Sequence, residues 1–345
     1  MQKHPLKKDP SQKHPLQKHP LQKDPSQQHL LQTPSLQKRF LKQSLSWLVL
    51  CVAALALPLQ TARAADAAGA ETPVVVGGKN FTEQLILSSI TAQYLDAHGY
   101  HTVLKNGLGS TLMRAAQVSG QLDVVWEYTG TSLILYNHVT ERLDEEATYA
   151  RVKTLDAARG LVWLNESAIN NTYAIAMPRA LAGDMRTLSD LADQMRQDPP
   201  KTRHLIAMDA EFAGRSDGLR PLLKQYRITL PRRDIKQMDP GLVYTALKNG
   251  QVMAGVVYTT DGRVQGFDLQ LLEDDEHYFP AYRATPVVRQ ATLDAHPALA
   301  AQLNALAAKL DTPTMTALNA QVDIRQQSIA QVAHDFLLKQ QLIPQ

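Results

Sequence analysis

Gly120-Gln121-Leu122-Asp123-Val124-Val125-Trp126-Glu127-Tyr128-Thr129 and Gly250-Gln251-Val252-Met253-Ala254-Gly255-Val256-Val257-Tyr258-Thr259 follow one plan. Each leaves a helix-ending Gly-Gln, passes through an apolar run and reaches a Tyr-Thr pair at the same offset. An apolar run bounded by turn residues reads as a buried strand, and two strands that end alike indicate two related α/β lobes. Open parallel sheets hold their ligands outside the carboxyl ends of the strands. Tyr128 and Tyr258 are therefore expected to meet in a cleft between the lobes.

Working outward, Val74-Val75-Val76 reads as a short buried strand followed by Gly77-Gly78. Thr82 is then expected to cap a helix that places Ile86, Ile90 and Tyr94 on one face until Gly99 stops it. That puts Lys79 in a strand-to-helix loop. A second strand is predicted at Thr102-Val103-Leu104, a helix from Ser110 to Gln117 closed by Gly120, and a third strand at Val124-Val125-Trp126. Strands alternating with helices predict a parallel, doubly wound sheet.

The second lobe is expected to begin near Asn171-Thr172-Tyr173-Ala174-Ile175-Ala176. It continues with a helix from Ser189, a strand from Leu205 to Met208, a loop from Asp209 to Gly218 and a helix to Tyr226. A strand from Ile235 to Met238, a helix from Gly241 to Lys248 and the Tyr258 strand complete it. After Thr260-Asp261-Gly262 the chain is expected to return to the first lobe, with a strand at Pro286-Val287-Val288 and three Ala/Leu-rich helices outside. The expected division is thus residues 65–172, 173–262 and 263–345, and two crossings make a hinge.

A chain of 345 residues exceeds one typical core, which agrees with two lobes plus extensions. Residues 1–37 do not resemble the rest. They cycle through Lys-His-Pro-Leu, Lys-Asp-Pro-Ser and Gln-Lys blocks, a Pro-rich polar pattern that neither keeps a helix nor buries a core and reads as disordered. His4, His14, His19 and His29 follow from the repeat rather than from a metal-ligand spacing. A translation start assigned too far upstream would produce such a leader; with no Met between Met1 and Met113, a shorter product would begin at a non-standard codon such as Leu31 or Leu36.

Residues 38–64 have the three parts of a secretory signal: Lys38-Arg39 and Lys42, an apolar run from Leu45 to Leu57, and Thr61-Ala62-Arg63-Ala64 with cleavage expected after Ala64. The run is short for a membrane span, and Cys51 stands behind Leu50, where a lipoprotein signal requires a small residue. Ten of the 36 Lys and Arg but only two of the 33 Asp and Glu lie in residues 1–64, leaving 26 against 31 and a net charge of −5. A mildly acidic exported chain is a poor nucleic-acid binder, and without Cys51 it contains no cysteine.

Four motifs, Gly78-Lys79-Asn80-Phe81-Thr82-Glu83-Gln84, Gly107-Leu108-Gly109-Ser110-Thr111, Glu127-Tyr128-Thr129-Gly130-Thr131 and Tyr258-Thr259-Thr260-Asp261-Gly262, occur in order and at family-like spacing. From Val74 to the C-terminus the chain closely resembles the substrate-binding proteins of osmoprotectant ABC importers, the glycine betaine, choline and carnitine binders. The resemblance implies a two-lobed type II periplasmic-binding-protein fold, with two doubly wound sheets joined by a two-strand hinge. It also implies a periplasmic, monomeric, non-enzymatic protein without cofactor or metal, whose partners are a small zwitterionic or cationic solute and an inner-membrane permease. By position, the family's aromatic box resembles Tyr128, Tyr173, Tyr258 and Tyr282, and its carboxylate end Lys79, Thr131 and Arg215. Gly77-Gly78 departs from the family's usual Gly-Ser.

Elementary chemistry supports that assignment separately. A quaternary ammonium has no N–H to donate, whereas the negative faces of aromatic rings attract it by about 0.5 to 2 kcal/mol each. Several rings are needed, and a tyrosine hydroxyl anchored from behind fixes its ring before the ligand arrives. A carboxylate at the other end suits the fork of Arg215 and the point charge of Lys79; the resemblance adds that choline-selective relatives carry a neutral group in place of Lys79, so Lys79 argues mildly for a carboxylate-bearing ligand without excluding choline. Structural roles compete at several positions. Arg215 has Glu211 and Asp217 as nearby ion-pair partners, Tyr282 adjoins the aromatic cluster Tyr278-Phe279, and Tyr244 on its helix reads as core.

Other function classes fare worse. Gly107-Leu108-Gly109 lacks the third glycine of a dinucleotide fingerprint, and Glu273-Asp274-Asp275-Glu276-His277 reads as a solvated loop. No nucleophile elbow or zinc-binding histidine pair is present. The bilane-forming synthase of similar fold attaches its cofactor to a cysteine, and a transcription regulator would carry a DNA-binding helix pair where this chain carries an export signal. The alternative ligands are choline, carnitine or another small zwitterion such as an amino acid.

Overall fold

The two Tyr-Thr ends belong to two separate five-stranded sheets. The computed structural model describes residues 72–199 and 201–344; the leader and the export signal read from residues 1–64 lie outside the described residues. β1 (Val74–Lys79), β2 (Thr102–Leu108), β3 (Val124–Tyr128) and β4 (Leu161–Trp163) come first. β5 (Tyr173–Pro178), β6 (Ile206–Met208), β7 (Ile235–Gln237), β8 (Ala254–Tyr258) and β9 (Leu269–Leu272) follow, and β10 (Ala284–Arg289) is the last. The sheets are ordered β2-β1-β3-β10-β4 and β7-β6-β8-β5-β9, so β3 and β8 hold equivalent central places and deliver Tyr128 and Tyr258 from matching ends.

Neither sheet is wholly parallel, contrary to the simple alternation rule. β1, β2 and β3 are parallel, as are β6, β7 and β8, but β10 runs antiparallel to β3 and β4, and β5 runs antiparallel to β8 and β9. The antiparallel strands are the ones that enter each sheet from the other. Tyr173 at the start of β5 thereby lies directly opposite Tyr258, and Ala284 at the start of β10 opposite Tyr128.

The return to the first sheet also comes later than Gly262. Asp268, at a positive φ of 51°, reverses the chain after the short helix Arg263–Gly266, and β9 pairs with the free edge of β5 with Leu269 and Leu272 buried. Both connections then run side by side, bridged antiparallel at Asn170 and Arg283, with the Asn171 N–H donating to the Tyr282 carbonyl at 3.1 Å.

The helix after β1, α1 (Thr82–Ala97), buries Ile86, Ile90 and Tyr94 as its periodicity predicts. Thr82 does not cap it. Phe81 holds that position without a side-chain cap, and the Thr82 hydroxyl donates instead to Asp323 Oδ1 at 2.8 Å. The fully buried Trp126 on β3 is tied to α1 by a 2.8 Å bond from its indole N–H to Thr91. The C-terminal helices Thr312–Asp323 and Ile329–Lys339 pack on α1, while Leu299–Ala307 lies against β10. Among the described residues no helix is long and apolar enough to cross a membrane.

The segment after β8 is fitted against the Thr312–Asp323 helix at Gly262, where an added Cβ would stand 2.6 Å from both Cα and Cβ of Ala320. Gly262→Ala is expected to lower stability by about 1 to 3 kcal/mol through overpacking, read as a reduced urea midpoint at constant slope. An unchanged midpoint would show that this junction yields freely.

Candidate functional site

Strand polarity brings the ends of β1, β3, β6, β7 and β8 to one cavity of about 350 Å³ between the sheets. Its wall includes Tyr128, Tyr173, Tyr258 and Tyr282, together with Lys79 and Thr131, so six of the seven residues singled out from sequence line one space. The rings form a continuous series. Tyr173 lies 5.4 Å from Tyr258 between centroids and meets Tyr282 edge-on at 5.6 Å and 88°, while Phe81 stacks on Tyr258 at 4.8 Å and approaches Tyr128 at 6.3 Å. Phe81 is a lining ring that the sequence reading did not single out, although it stands inside the Gly78–Gln84 motif.

Two of these rings are held from behind by carboxylates. The Tyr128 hydroxyl donates to Glu83 Oε1 at 2.6 Å and accepts from Gln84 at 3.1 Å. The Tyr282 hydroxyl donates to Asp217 Oδ2 at 2.8 Å. Glu83 also accepts from the Asn171 amide at 2.9 Å and from the Thr260 hydroxyl at 2.6 Å. Burial raises its carboxyl above the ordinary 4.5, against the lowering effect of its Thr260, Tyr128 and Asn171 donors. Tyr244 is core, as read, yet it is not idle: its buried hydroxyl accepts the backbone N–H of Tyr258 at 2.9 Å.

The cationic residues are placed differently from expectation. Arg215 does not line the cavity. It is buried, its guanidinium donates through Nε and Nη2 to Asp217 at 2.7 and 2.6 Å, and it lies 5.6 Å from the Tyr173 ring centroid. A fork already matched to a carboxylate two residues away braces Tyr173 and Tyr282 instead of presenting its donors to the cavity. Lys79 does reach the wall, but its ammonium donates to Glu127 Oε1 at 2.5 Å, with both side chains buried. Glu127 is fixed in turn by the Tyr128 backbone N–H at 2.8 Å and the Tyr136 hydroxyl at 2.8 Å.

The remaining charged wall residues, Asp209, Glu211 and Asp239, are all acidic and were not anticipated. Asp209 accepts the Phe212 N–H at 2.9 Å at the head of the short helix Ala210–Gly214, and burial raises its carboxyl. Glu211 reaches across to the first sheet, where Oε2 accepts the backbone N–H of Ser110 at 3.1 Å. Burial opposes its ionisation, yet the Lys79 charge and the Ser110 donor hold it below the usual carboxylate range. Among the described residues no cluster of three or more His, Cys, Asp or Glu is arranged for a metal.

A family described as the substrate binding domain of ABC-type glycine betaine transport systems matches residues 72–339. A Pseudomonas aeruginosa protein named glycine-betaine-binding protein is 54% identical over 286 residues, covering 81% of this chain and 91% of its own. The Escherichia coli glycine betaine-binding protein YehZ is 34% identical over 298 residues, covering 84% and 94%. A crystal structure titled glycine betaine/carnitine/choline ABC transporter superposes with a TM-score of 0.64 at 28% identity, covering 78% of this chain and 99% of that one.

The raised Glu83 carboxyl has a pH consequence. A carboxyl whose folded value exceeds its unfolded one favours folding while protonated, so its contribution is present below the unfolded value, near 4.5, and is lost as pH rises through the folded value. Glu83→Gln fixes the uncharged shape, and its stability relative to wild type is expected to increase from pH 4 to 8 in denaturant titrations. Glu83→Ala is expected to lose about 1 to 3 kcal/mol by stranding buried donors. Parallel pH profiles of wild type and Glu83→Gln would refute the burial argument.

Proposed function

The chain belongs to the family of substrate-binding domains of ABC-type glycine betaine transport systems, and we propose that the ring-walled cavity between its sheets is where it captures glycine betaine. It is the solute-binding component of an ABC importer, works with a membrane permease and is not an enzyme. The observation that carries the site assignment is the convergence of Tyr128 from β3 with Tyr173 and Tyr258 from β5 and β8 on one cavity, with Phe81 and Tyr282 completing the wall. A trimethylammonium head presents methyl groups and diffuse positive charge, and ring faces satisfy both. Lys79 and Thr131 form the end nearest a ligand carboxylate. Arg215 acts through the rings it braces.

The reading extends to location and assembly. The Lys38 to Ala64 signal is consistent with export and cleavage, leaving a mature monomer in the periplasm that delivers its solute to the permease. Because both sheets contribute wall residues, the ligand favours whichever arrangement brings them together, by its differential affinity for that state.

Calorimetric titration of the purified mature protein with glycine betaine, choline, carnitine, proline betaine and several amino acids tests the reading. Heat with quaternary amines is expected. Silence for all of them, with heat for an amino acid, would overturn the ligand class. Tyr128→Ala and Tyr258→Ala are each expected to weaken capture by roughly 2- to 30-fold, the loss of one ring face; undiminished affinity in both would place the ligand elsewhere.

A further inference from the structure

Nine of the 26 Lys and Arg that follow Ala64, but only four of the 31 Asp and Glu, fall in residues 201–238. Eight of the nine basic residues are exposed, Arg215 being the exception, whereas Asp209, Asp217 and Asp234 are buried and Glu211 is half-buried. The segment therefore presents a cationic face, while the other residues from 65 onward hold 17 basic and 27 acidic side chains, a net charge of −10. Neighbouring elements build this face. β7, which carries Lys236, is the outer strand of the second sheet. Arg220, from the first turn of the helix Leu219–Gln225, and Arg232, from the turn ahead of β7, line one groove together with Leu223, Leu230 and Ile235. Lys224 stands one turn after Arg220 on the same side of that helix. Arg203 joins the sector by donating through Nε to Asp234 at 2.8 Å and through Nη2 to the Arg233 carbonyl at 3.1 Å. Among the described residues Arg220, Lys224, Arg232, Arg233 and Lys236 have no carboxylate at ion-pair distance. The acidic loop 273–276 reaches Gln225 and Tyr226 and bounds the face at that end.

We propose that this face binds anionic phospholipid headgroups and seats the protein against the membrane that holds its permease. Exposed Lys and Arg side chains with no acidic partner of their own are free to meet headgroup phosphates, and each one near an anionic surface adds to the attraction. The acidic remainder of the molecule does not cancel it, because at physiological ionic strength charges more than about 8 Å from the surface are screened. A protein partner fits less well. The centre of a protein interface is apolar and aromatic and poor in lysine, and among the described residues none of the exposed large apolar side chains lies in residues 201–238. Charges on an outer strand also discourage edge-to-edge pairing, which accounts for Lys236 but for neither Arg220 nor Arg232. Gln237 lines both the groove and the ring-walled cavity, so the face borders the place where the solute is held.

The test is co-sedimentation of the purified mature protein with vesicles of phosphatidylglycerol and, separately, of phosphatidylcholine. Retention on phosphatidylglycerol that weakens with added salt is expected, with none on phosphatidylcholine. Each charge removed from the face is expected to lower partitioning about fivefold, so the triple change Arg232→Gln, Arg233→Gln and Lys236→Gln costs about 100-fold. The double change Arg220→Gln and Lys224→Gln, expected to cost about 25-fold, keeps the test open if the triple variant folds poorly. Arg151→Gln with Lys339→Gln, which removes two exposed charges outside the face, is expected to change partitioning by less than about twofold. Equal retention on both lipids would overturn the inference, and so would an equal loss in the Arg151 and Lys339 variant. Retention only by phosphatidylcholine vesicles that carry the reconstituted permease would overturn it too, assigning the face to an acidic protein surface. Calorimetry with glycine betaine separates this outcome from the ligand reading: capture by the face variants is expected to match wild type, and absence of heat with wild type bears on the cavity alone.

Discussion

Glu83 is a carboxylate placed where water cannot solvate it, and the surrounding architecture is arranged around its needs. Burial of a carboxylate is costly unless its oxygens are matched by donors. The donors come from three parts of the chain: Tyr128 at the end of β3, Asn171 just before β5, and Thr260 just after β8. One group therefore fixes a ring of the cavity wall and touches the segments that enter β5 and leave β8, which lie side by side at one end of the second sheet. Asn319 extends the arrangement into the C-terminal helices by donating to the Thr260 carbonyl at 3.0 Å. The Tyr128 ring is thus tied through Glu83 to the segments that join the two sheets.

The parts of this protein that were legible in its sequence are those set by repetition and by local pattern. The paired Gly-Gln and Tyr-Thr stretches led to two sheets with equivalent central strands because each apolar run has strand length and each is bounded by turn residues. The helix α1 followed from the spacing of Ile86, Ile90 and Tyr94. What escaped were short strands whose identity depends on their neighbours. β4 has three residues and β9 four, and each is a strand only because β10 or β5 offers it an edge. The antiparallel entry of β5 and β10 escaped for the same reason, since strand direction is a property of the connection and leaves no mark on the residues that form the strand.

At the site the division is similar. Ring positions were readable because each aromatic stands at a strand end or in a motif of fixed spacing, and Phe81 carries the same signal inside the Gly78–Gln84 motif. Charged residues were readable as to type but not as to allegiance. Arg215 has carboxylates two residues after it and four before it, and the backbone turn between Gly214 and Gly218 decides that Asp217 receives both of its shortest bonds. Lys79 is drawn to Glu127, 48 positions away in sequence, because β1 and β3 are adjacent parallel strands that bring the two side chains to the same end of the sheet. A charge pair across strands is invisible until strand order is known.

That allegiance governs how the cavity treats its ligand. Counted by residue type alone, Lys79 and Arg215 would make one end of the site cationic. With each already matched to a carboxylate, the compensated pairs contribute short-range dipoles, and the other charged residues of the wall are the carboxylates Asp209, Glu211 and Asp239, of which Glu211 also receives Arg215 Nη1 at 3.3 Å. Hydrogen bonds from tyrosine hydroxyls to Glu83 and Asp217 act in the same sense, because a phenol that donates to a carboxylate has a more electron-rich ring and attracts a cation more strongly. Rings, second-layer carboxylates and wall acids therefore favour positive charge together, and the ammonium is the one feature that glycine betaine, choline and carnitine share.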